Sequence, residues 1–254
     1  MTFPLIDLTG KKILVAGASS GIGAETSRLL GKLGASVILV ARREPQLQET
    51  MATLEGQSHR YYCQDLSQLD NIESFVKSVV LENGPLDGYV HCAGITSHRP
   101  LNLIKPKVMK EIMDINFGSF LEMVRCITKK GSFNEGMSIV GISSISSLRG
   151  NQSKTAYAAS KAAMDAAVRC LGKELAPKGM RINTVAPAFI RTAIFDTFKN
   201  ETADSSDADD IVARQYLGIG EPQDVANMIA FLLSNASRFI TGSTIGIDGG
   251  RLSS

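Results

Sequence analysis

Short apolar runs alternate with longer stretches of helical periodicity along most of this chain. Lys12-Ile13-Leu14-Val15-Ala16 ends at a glycine, and Ser36-Val37-Ile38-Leu39-Val40-Ala41 follows one amphipathic stretch later. A weaker run, Arg60–Cys63, precedes Leu86–Cys92, Ser138–Ile142, Arg181–Ala186 and Ser243–Ile247, which makes seven candidate strands. The segments between them, such as Asn71–Leu81 and Ala156–Ala176, space their apolar residues as helices do. Strands that are apolar throughout are buried on both faces, so the pattern predicts a parallel sheet with helices on either side. Right-handed crossovers then give an α/β, doubly wound Rossmann fold of about seven parallel strands. No repeat, Gly/Ser tract or Pro-rich linker divides the chain, and residues 1–254 are expected to form a single domain. One segment departs from the pattern: Lys199–Asp210 is polar and rich in Asp and Glu, which predicts a loop.

Composition narrows the function classes. The 254 residues, 44% hydrophobic and 20% charged, suit one folded α/β domain. A net charge of +2 gives no general field for nucleic acid or an anionic membrane, and Lys105, Lys107 and Lys110 read as a solvated helix face. No apolar run reaches the length of a membrane span, and Met1–Asp7 lacks the basic and apolar regions of a signal peptide, so a cytoplasmic protein is expected. Cys63, Cys92, Cys126 and Cys170 form no Cys-x-x-Cys pair and sit near no clustered histidines, so no metal is expected. Each lies in an apolar-patterned stretch, which predicts a buried free thiol.

The candidate chemistry begins where the first strand ends. Gly17-Ala18-Ser19-Ser20-Gly21-Ile22-Gly23 runs from strand to helix, and glycines there let backbone N–H groups approach a pyrophosphate. The spacing is G-x-x-x-G-x-G rather than G-x-G-x-x-G, and a glycine-rich turn also serves plain turns. The second strand ends Val40-Ala41-Arg42-Arg43 with no acid at its tip; Glu44 comes later. Two guanidiniums at that place suit a ribose 2′-phosphate, which points to NADP(H) with Arg42 foremost. Further along, Tyr157 and Lys161 stand four apart on one helix face, and Ser143-Ser144 closes the fifth strand. Ligands of parallel sheets bind beyond the carboxyl ends of strands, so Ser144 and Tyr157 are candidates for one pocket.

Taken in order, these motifs resemble the short-chain dehydrogenase/reductase family over essentially the whole chain, particularly its 3-oxoacyl-carrier-protein reductase-like members. Gly17-x-x-x-Gly21-x-Gly23, Asp65, Ala93-Gly94, Asn116, Ser144, Tyr157-x-x-x-Lys161, Pro187, Thr192 and Thr241-Gly242 through Gly250 carry the likeness. The resemblance implies cofactor contacts from Gly17, Ser19, Ser20, Gly21, Ile22, Gly23, Arg42, Arg43, Asp65, Leu66, Ala93, Gly94, Tyr157, Lys161, Pro187, Ile190 and Thr192. It implies catalysis by Asn116, Ser144, Tyr157 and Lys161. Tyr157 would be general acid in reduction and base in oxidation, with Lys161 and a positive nicotinamide lowering its ordinary pKa near 10. Ser144 would steady the substrate oxygen, and Asn116 would anchor a water leading from Lys161 to solvent. Residues 190–216 would form a substrate lid, and the protein a homodimer or homotetramer paired across the alanine-rich helix.

Four positions depart from the family pattern. Ala16 stands for a threonine, His91-Cys92 for two asparagines and Ala188 for a glycine. His91 is expected to be a hydrogen-bonded strand histidine rather than a catalytic one. The expected activity is hydride transfer between NADP(H) and a small carbonyl or alcohol, favouring ketone reduction. A physiological alcohol dehydrogenase and a non-catalytic NADP(H)-binding regulator are the alternatives. Retention of Asn116, Ser144, Tyr157 and Lys161 argues against the second. Asn134-Glu135-Gly136 and the acidic segment 199–210 argue against an acyl-carrier substrate, although Lys178 lies after the catalytic helix.

Overall fold

The computed structural model describes residues 6–193, 195 and 214–253. Seven parallel strands form one sheet in the order β3-β2-β1-β4-β5-β6-β7. They are β1 (Lys12–Ala16), β2 (Ser36–Ala41), β3 (Arg60–Cys63), β4 (Leu86–His91), β5 (Phe133–Ile142), β6 (Arg181–Pro187) and β7 (Thr244–Ile247). The helices are α1 (Gly21–Lys32), α2 (Glu44–Ala52), α3 (Ile72–Asn83), α4 (Pro106–Met113), α5 (Ser119–Ile127), α6 (Thr155–Leu175) and α7 (Pro222–Leu233). The fold is the doubly wound Rossmann domain that the periodicity predicts.

The central strands are apolar on both faces because each face has its own helical layer. Phe75, Phe120, Met164 and Val168 from α3, α5 and α6 pack with Leu14 and Ile139 on one side. Leu30, Leu47 and Ile229 from α1, α2 and α7 pack with Val15 and Val140 on the other. Burying each such side chain contributes about 1.5–3 kcal/mol. The strand order runs one way from β1 to β3 and the other way from β4 to β7. Their crossovers therefore leave from opposite faces, and a crevice opens where β1 and β4 part. Ala16 and His91 are register partners, so both chains leave the sheet side by side at that crevice.

Element ends differ modestly from the sequence pattern. β5 starts at Phe133, because backbone pairing with β4 continues through an irregular register at Leu86/Gly88 although Glu135 and Gly136 are exposed. α3 runs to Asn83 and stops at Gly84, whose φ of 78° leaves the helical region. The expected loop at 199–210 and most of the expected lid at 190–216 lie outside the described residues. The cysteine expectation needs correcting at two positions. Cys126 is buried and Cys92 half-buried, but Cys63 and Cys170 are exposed. Cys63 closes the sheet's edge strand, and Cys170 lies on the outer side of α6, where alanines rather than core packing create the apolar pattern. Among the described residues, no helix is long and apolar enough to cross a membrane.

Among the described glycines, the tightest surroundings lie at the crevice. A Cβ on Gly23 would stand 2.2 Å from the Gly17 carbonyl oxygen and 3.2 Å from Cys92 Cβ. Gly23→Ala is expected to cost about 1–3 kcal/mol by pushing α1 off the strand ends. A lower urea midpoint would register this, and an unchanged midpoint would show that α1 shifts freely.

Candidate active site

The floor of the crevice is built by three glycines. Gly17 turns the chain out of β1 with φ of 82°, and a Cβ there would lie 2.6 Å from the Ala93 nitrogen. Ser20 is extended, and α1 begins at Gly21, so the N–H groups of its first turn have no partner within the helix. Such a helix start attracts a phosphate through those donors and the helix dipole. The cleft that opens there has a volume of about 1030 Å³ and runs from Arg42, Arg43 and Asp65 to Ser144, Tyr157 and Thr192. That volume is at the upper end for small-molecule sites and suits an extended dinucleotide. Every residue expected to touch the cofactor lines this one cleft.

The two arginines do different things. Arg43 donates from Nη2 to Ser19 Oγ at 3.1 Å and Ser20 Oγ at 2.9 Å, which holds its guanidinium over the glycine turn. Arg42, ranked first from the sequence, also borders a second cavity of about 300 Å³ with Ser67, Lys107 and Lys110. Asp65 accepts from the Ser67 backbone at 3.0 Å and hydroxyl at 2.8 Å, a turn that fixes its carboxylate after β3.

At the far end, β5 delivers Ser144 and α6 delivers Tyr157 and Lys161. Lys161 is 5% exposed and donates from Nζ to the Ile142 carbonyl at 2.7 Å. Burial brings its ammonium down to about pKa 8, opposed by Cys92 and Asp165. Its Nζ lies 5.8 Å from the Tyr157 ring centroid. The Tyr157 phenol is raised by desolvation, with the Ser144 hydroxyl pulling the other way. Here the ammonium is directed to the strand-end carbonyl, and burial of the ring dominates.

Asn116 sits in a single π-turn, Asp114–Gly118, between α4 and α5. Its amide donates to the Ile95 carbonyl at 3.0 Å and Ser160 Oγ at 2.9 Å, while its Oδ1 accepts from Ile95 N–H at 2.8 Å. The side chain therefore ties the loop after β4 to α6. A widened turn of this kind loosens the helical ladder locally and is common at functional sites.

His91 is buried and hydrogen-bonded. Tyr89 Oη lies 2.6 Å from Nδ1, and Ser119 Oγ lies 3.4 Å from Nε2. Ser119 gives its own proton to the Ile115 carbonyl at 2.6 Å. Nε2 therefore carries the imidazole proton, and Tyr89 donates to Nδ1. Desolvation and the nearby Lys161 hold His91 down to about pKa 3.

Sequence reasoning missed Asp165. Its carboxylate is 3% exposed and accepts from Ser143 Oγ at 2.9 Å and Thr184 Oγ1 at 2.8 Å. The available signal was an acid four residues after Lys161, on the same helix face.

Residues 17–251 match the family described as Enoyl-(Acyl carrier protein) reductase. The chain belongs to the short-chain dehydrogenase/reductase family. The 3-oxoacyl-[acyl-carrier-protein] reductase of Rickettsia felis is 36% identical over 98% of this chain and 99% of its own. A putative NAD(P)-dependent gluconate 5-dehydrogenase from Beutenbergia cavernae, solved with NADP, has TM-score 0.88 and 28% identity over 99% of this chain and 100% of its own. An actinorhodin polyketide ketoreductase, solved with NADPH, has TM-score 0.87 and 29% identity over 95% of this chain and 97% of its own. As a short-chain dehydrogenase/reductase, the chain is an oxidoreductase that uses a nicotinamide cofactor and transfers hydride.

The buried histidine gives this family member a pH dependence. Folding lowers His91 from 6.5 to about 3. The unfolded chain then binds more protons between those values, so stability present at neutral pH is lost as pH falls through that window. His91→Gln is expected to flatten unfolding free energy against pH between 6.5 and about 3. Parallel slopes for wild type and variant would show that His91 does not set the acid limb.

Proposed function

We propose that this protein is an NADP(H)-dependent ketoreductase acting on a small carbonyl compound, with Asn116, Ser144, Tyr157 and Lys161 as its catalytic set. One observation carries the reading: Ser144, Tyr157 and Lys161 meet at the end of β5, in the cleft where Arg43 is held over Ser19 and Ser20. The glycine floor fits the cofactor: side chains at Gly17 and Gly23 would collide with neighbouring backbone, so glycine there lets α1 start close against the strand end, where its first-turn N–H groups can take a phosphate. Gly17–Gly23 and Arg43 would hold the adenosine phosphates, and Lys161, Pro187 and Thr192 the nicotinamide half. The cofactor, when bound, supplies the hydride.

The chain's own groups supply the rest. Ser144 hydrogen-bonds the substrate oxygen and stabilises its developing charge. Tyr157 gives that oxygen its proton. A phenol raised by burial is protonated at neutral pH, the form that reduction requires. Lys161, partly deprotonating near pH 8, is suited to pass a proton back to the tyrosine. Asn116 keeps the Ile95 loop and Ser160 in register beside it. The NADP- and NADPH-containing structures of two relatives support the choice of cofactor.

Cofactor preference should follow Arg43. Removing a charge-assisted contact costs about 1.5–3 kcal/mol, so Arg43→Ala is expected to weaken NADPH about ten-fold or more and NADH little. Titration of cofactor fluorescence measures both, and equal losses would remove the 2′-phosphate assignment.

Tyr157→Phe keeps the ring and removes the proton. Turnover should fall about 10²–10⁴-fold with NADPH affinity nearly intact. Lys161→Ala should lose turnover and affinity together. A Tyr157→Phe enzyme that reduces a ketone at the wild-type rate would refute the mechanism.

A further inference from the structure

Two buried charges of opposite sign stand one turn apart on α6. Lys161 is 5% exposed and Asp165 3%, and among the described residues Asp165 is the one buried carboxylate. A carboxylate taken out of water is costly unless its oxygens are bonded. Here each oxygen has a hydroxyl: Oδ2 accepts from Ser143 Oγ at 2.9 Å and Oδ1 from Thr184 Oγ1 at 2.8 Å. Thr184 gives its proton to Asp165, so its 2.8 Å contact with Thr244 Oγ1 is donated by Thr244. A carboxyl group whose two oxygens both accept is in its ionised form. The two charges hold consecutive residues at the end of β5. Lys161 takes the Ile142 carbonyl at 2.7 Å, and Asp165 takes the hydroxyl of Ser143. Ser143 is pinned through its backbone as well, its N–H donating to the Val185 carbonyl at 2.8 Å. Ser144 comes next and opens the short turn Ile145–Ser147.

From this geometry we propose that Asp165 is a positioning residue for the reaction: it fixes Ser143 so that Ser144 meets the substrate oxygen, and it supplies the negative charge that keeps the buried Lys161 ammonium protonated. The inference rests on the ketoreductase reading and deepens it. The first role follows from how the two serines are sorted. With its hydroxyl given to Asp165, Ser143 is withdrawn from the chemistry, and Ser144 is left to the Tyr157 phenol. The second role follows from what surrounds Lys161. The end of β4 brings His91 and Cys92, and α6 brings Tyr157 and Asp165. β5, β6 and the π-turn bring Ser143, Ser144, Thr184 and Asn116, which do not titrate. Burial pushes the Cys92 thiol up to about 12, holds His91 down to about 3 and raises the Tyr157 phenol, so all three are uncharged at neutral pH. Among the described residues, Asp165 is therefore the negative charge that acts on an ammonium brought down by burial to about 8.

The test uses the whole enzyme with NADPH and three ketones, ethyl acetoacetate, cyclohexanone and acetoin. Carbon-13 NMR of lysine-labelled enzyme follows the Lys161 titration directly, its signal assigned by its loss in Lys161→Ala. Asp165→Asn keeps the shape and removes the charge. The Lys161 midpoint should move about one pH unit lower, and the alkaline limb of kcat with it, because an ammonium without its counter-charge loses its proton sooner. kcat should fall about ten-fold. Asp165→Glu restores the charge on a longer arm, so the midpoint should return towards the wild-type value while kcat stays low. Ser143→Ala keeps the charge and removes the bond; kcat should fall about five-fold with the midpoint unmoved. Circular dichroism checks that each variant folds. Should Asp165→Asn not fold, Ser143→Ala decides alone. An unmoved Lys161 midpoint in folded Asp165→Asn, or wild-type kcat in Ser143→Ala, would overturn the proposal while leaving the ketoreductase intact. A wild type that oxidises no NADPH with any of the ketones would overturn the ketoreductase reading instead, and the NMR midpoint would still decide whether Asp165 holds Lys161 charged.

Discussion

A lysine ammonium buried at the end of a β-strand is the constraint around which this site is organised. Taking such a charge out of water costs several kcal/mol unless the fold replaces the lost solvation. Three features do so for Lys161. The Ile142 carbonyl, freed where β5 ends, accepts its hydrogen bond at 2.7 Å. Asp165, one helical turn later, contributes a negative charge from the same face of α6. The Asp165 carboxylate is itself satisfied by Ser143 and Thr184, so α6, β5 and β6 are bound together at the level of the reacting groups. The compensation is incomplete, and the ammonium's fall to about pKa 8 records what remains.

The neighbours of that charge are held neutral. His91 keeps its proton on Nε2 and stays uncharged down to about pH 3. The Cys92 thiol is pushed up to about 12 by burial, against the pull of Lys161. Positions that carry asparagines in the resemblance are thus filled by groups of different chemistry that still add no charge. The histidine does more than fill space. Through Ser119 it reaches the Ile115 carbonyl, inside the π-turn that presents Asn116. Tyr89 completes the chain from the other side. A buried imidazole with both nitrogens engaged is satisfied at low cost, whereas one left unpaired would cost about 1–3 kcal/mol.

Much of the fold and most of the cleft were legible in the sequence, because both follow from strand ends. Lys12–Ala16 and Ser36–Ala41 read as buried strands from their unalternated apolar runs, and the structure gives them those bounds. The glycine turn, Ser144 and the Tyr157–Lys161 pair sit at carboxyl ends of strands or in the first turns of helices, where spacing along the chain fixes position in space. What escaped was set by orientation. Arg42 and Arg43 are adjacent, and only the turn into α2 decides which guanidinium reaches Ser19 and Ser20. Cys170 looked buried because alanines surround it, yet an alanine-rich face is apolar without being in the core. Asp165 finds its partners, Ser143 and Thr184, only where α6 packs against the end of β5 and β6.

The two ends of the cleft owe their properties to different parts of the chain. The cofactor end is made by backbone at the parting of β1 and β4, where a side chain at Gly17 would strike Ala93 and one at Gly23 would strike Gly17. Little can change there without moving a strand or a helix. Elsewhere the cleft is lined by side chains on connections: Lys154 before α6, Arg149 in the loop after β5, and Arg251 beyond β7. Their charges are free to differ without disturbing the sheet, since none contributes to its strand pairing. A scaffold of this kind holds the hydride-transfer geometry fixed and leaves the chemistry of recognition to the loops. That separation is why the reaction class follows from the motifs, while the identity of the substrate depends on the loops.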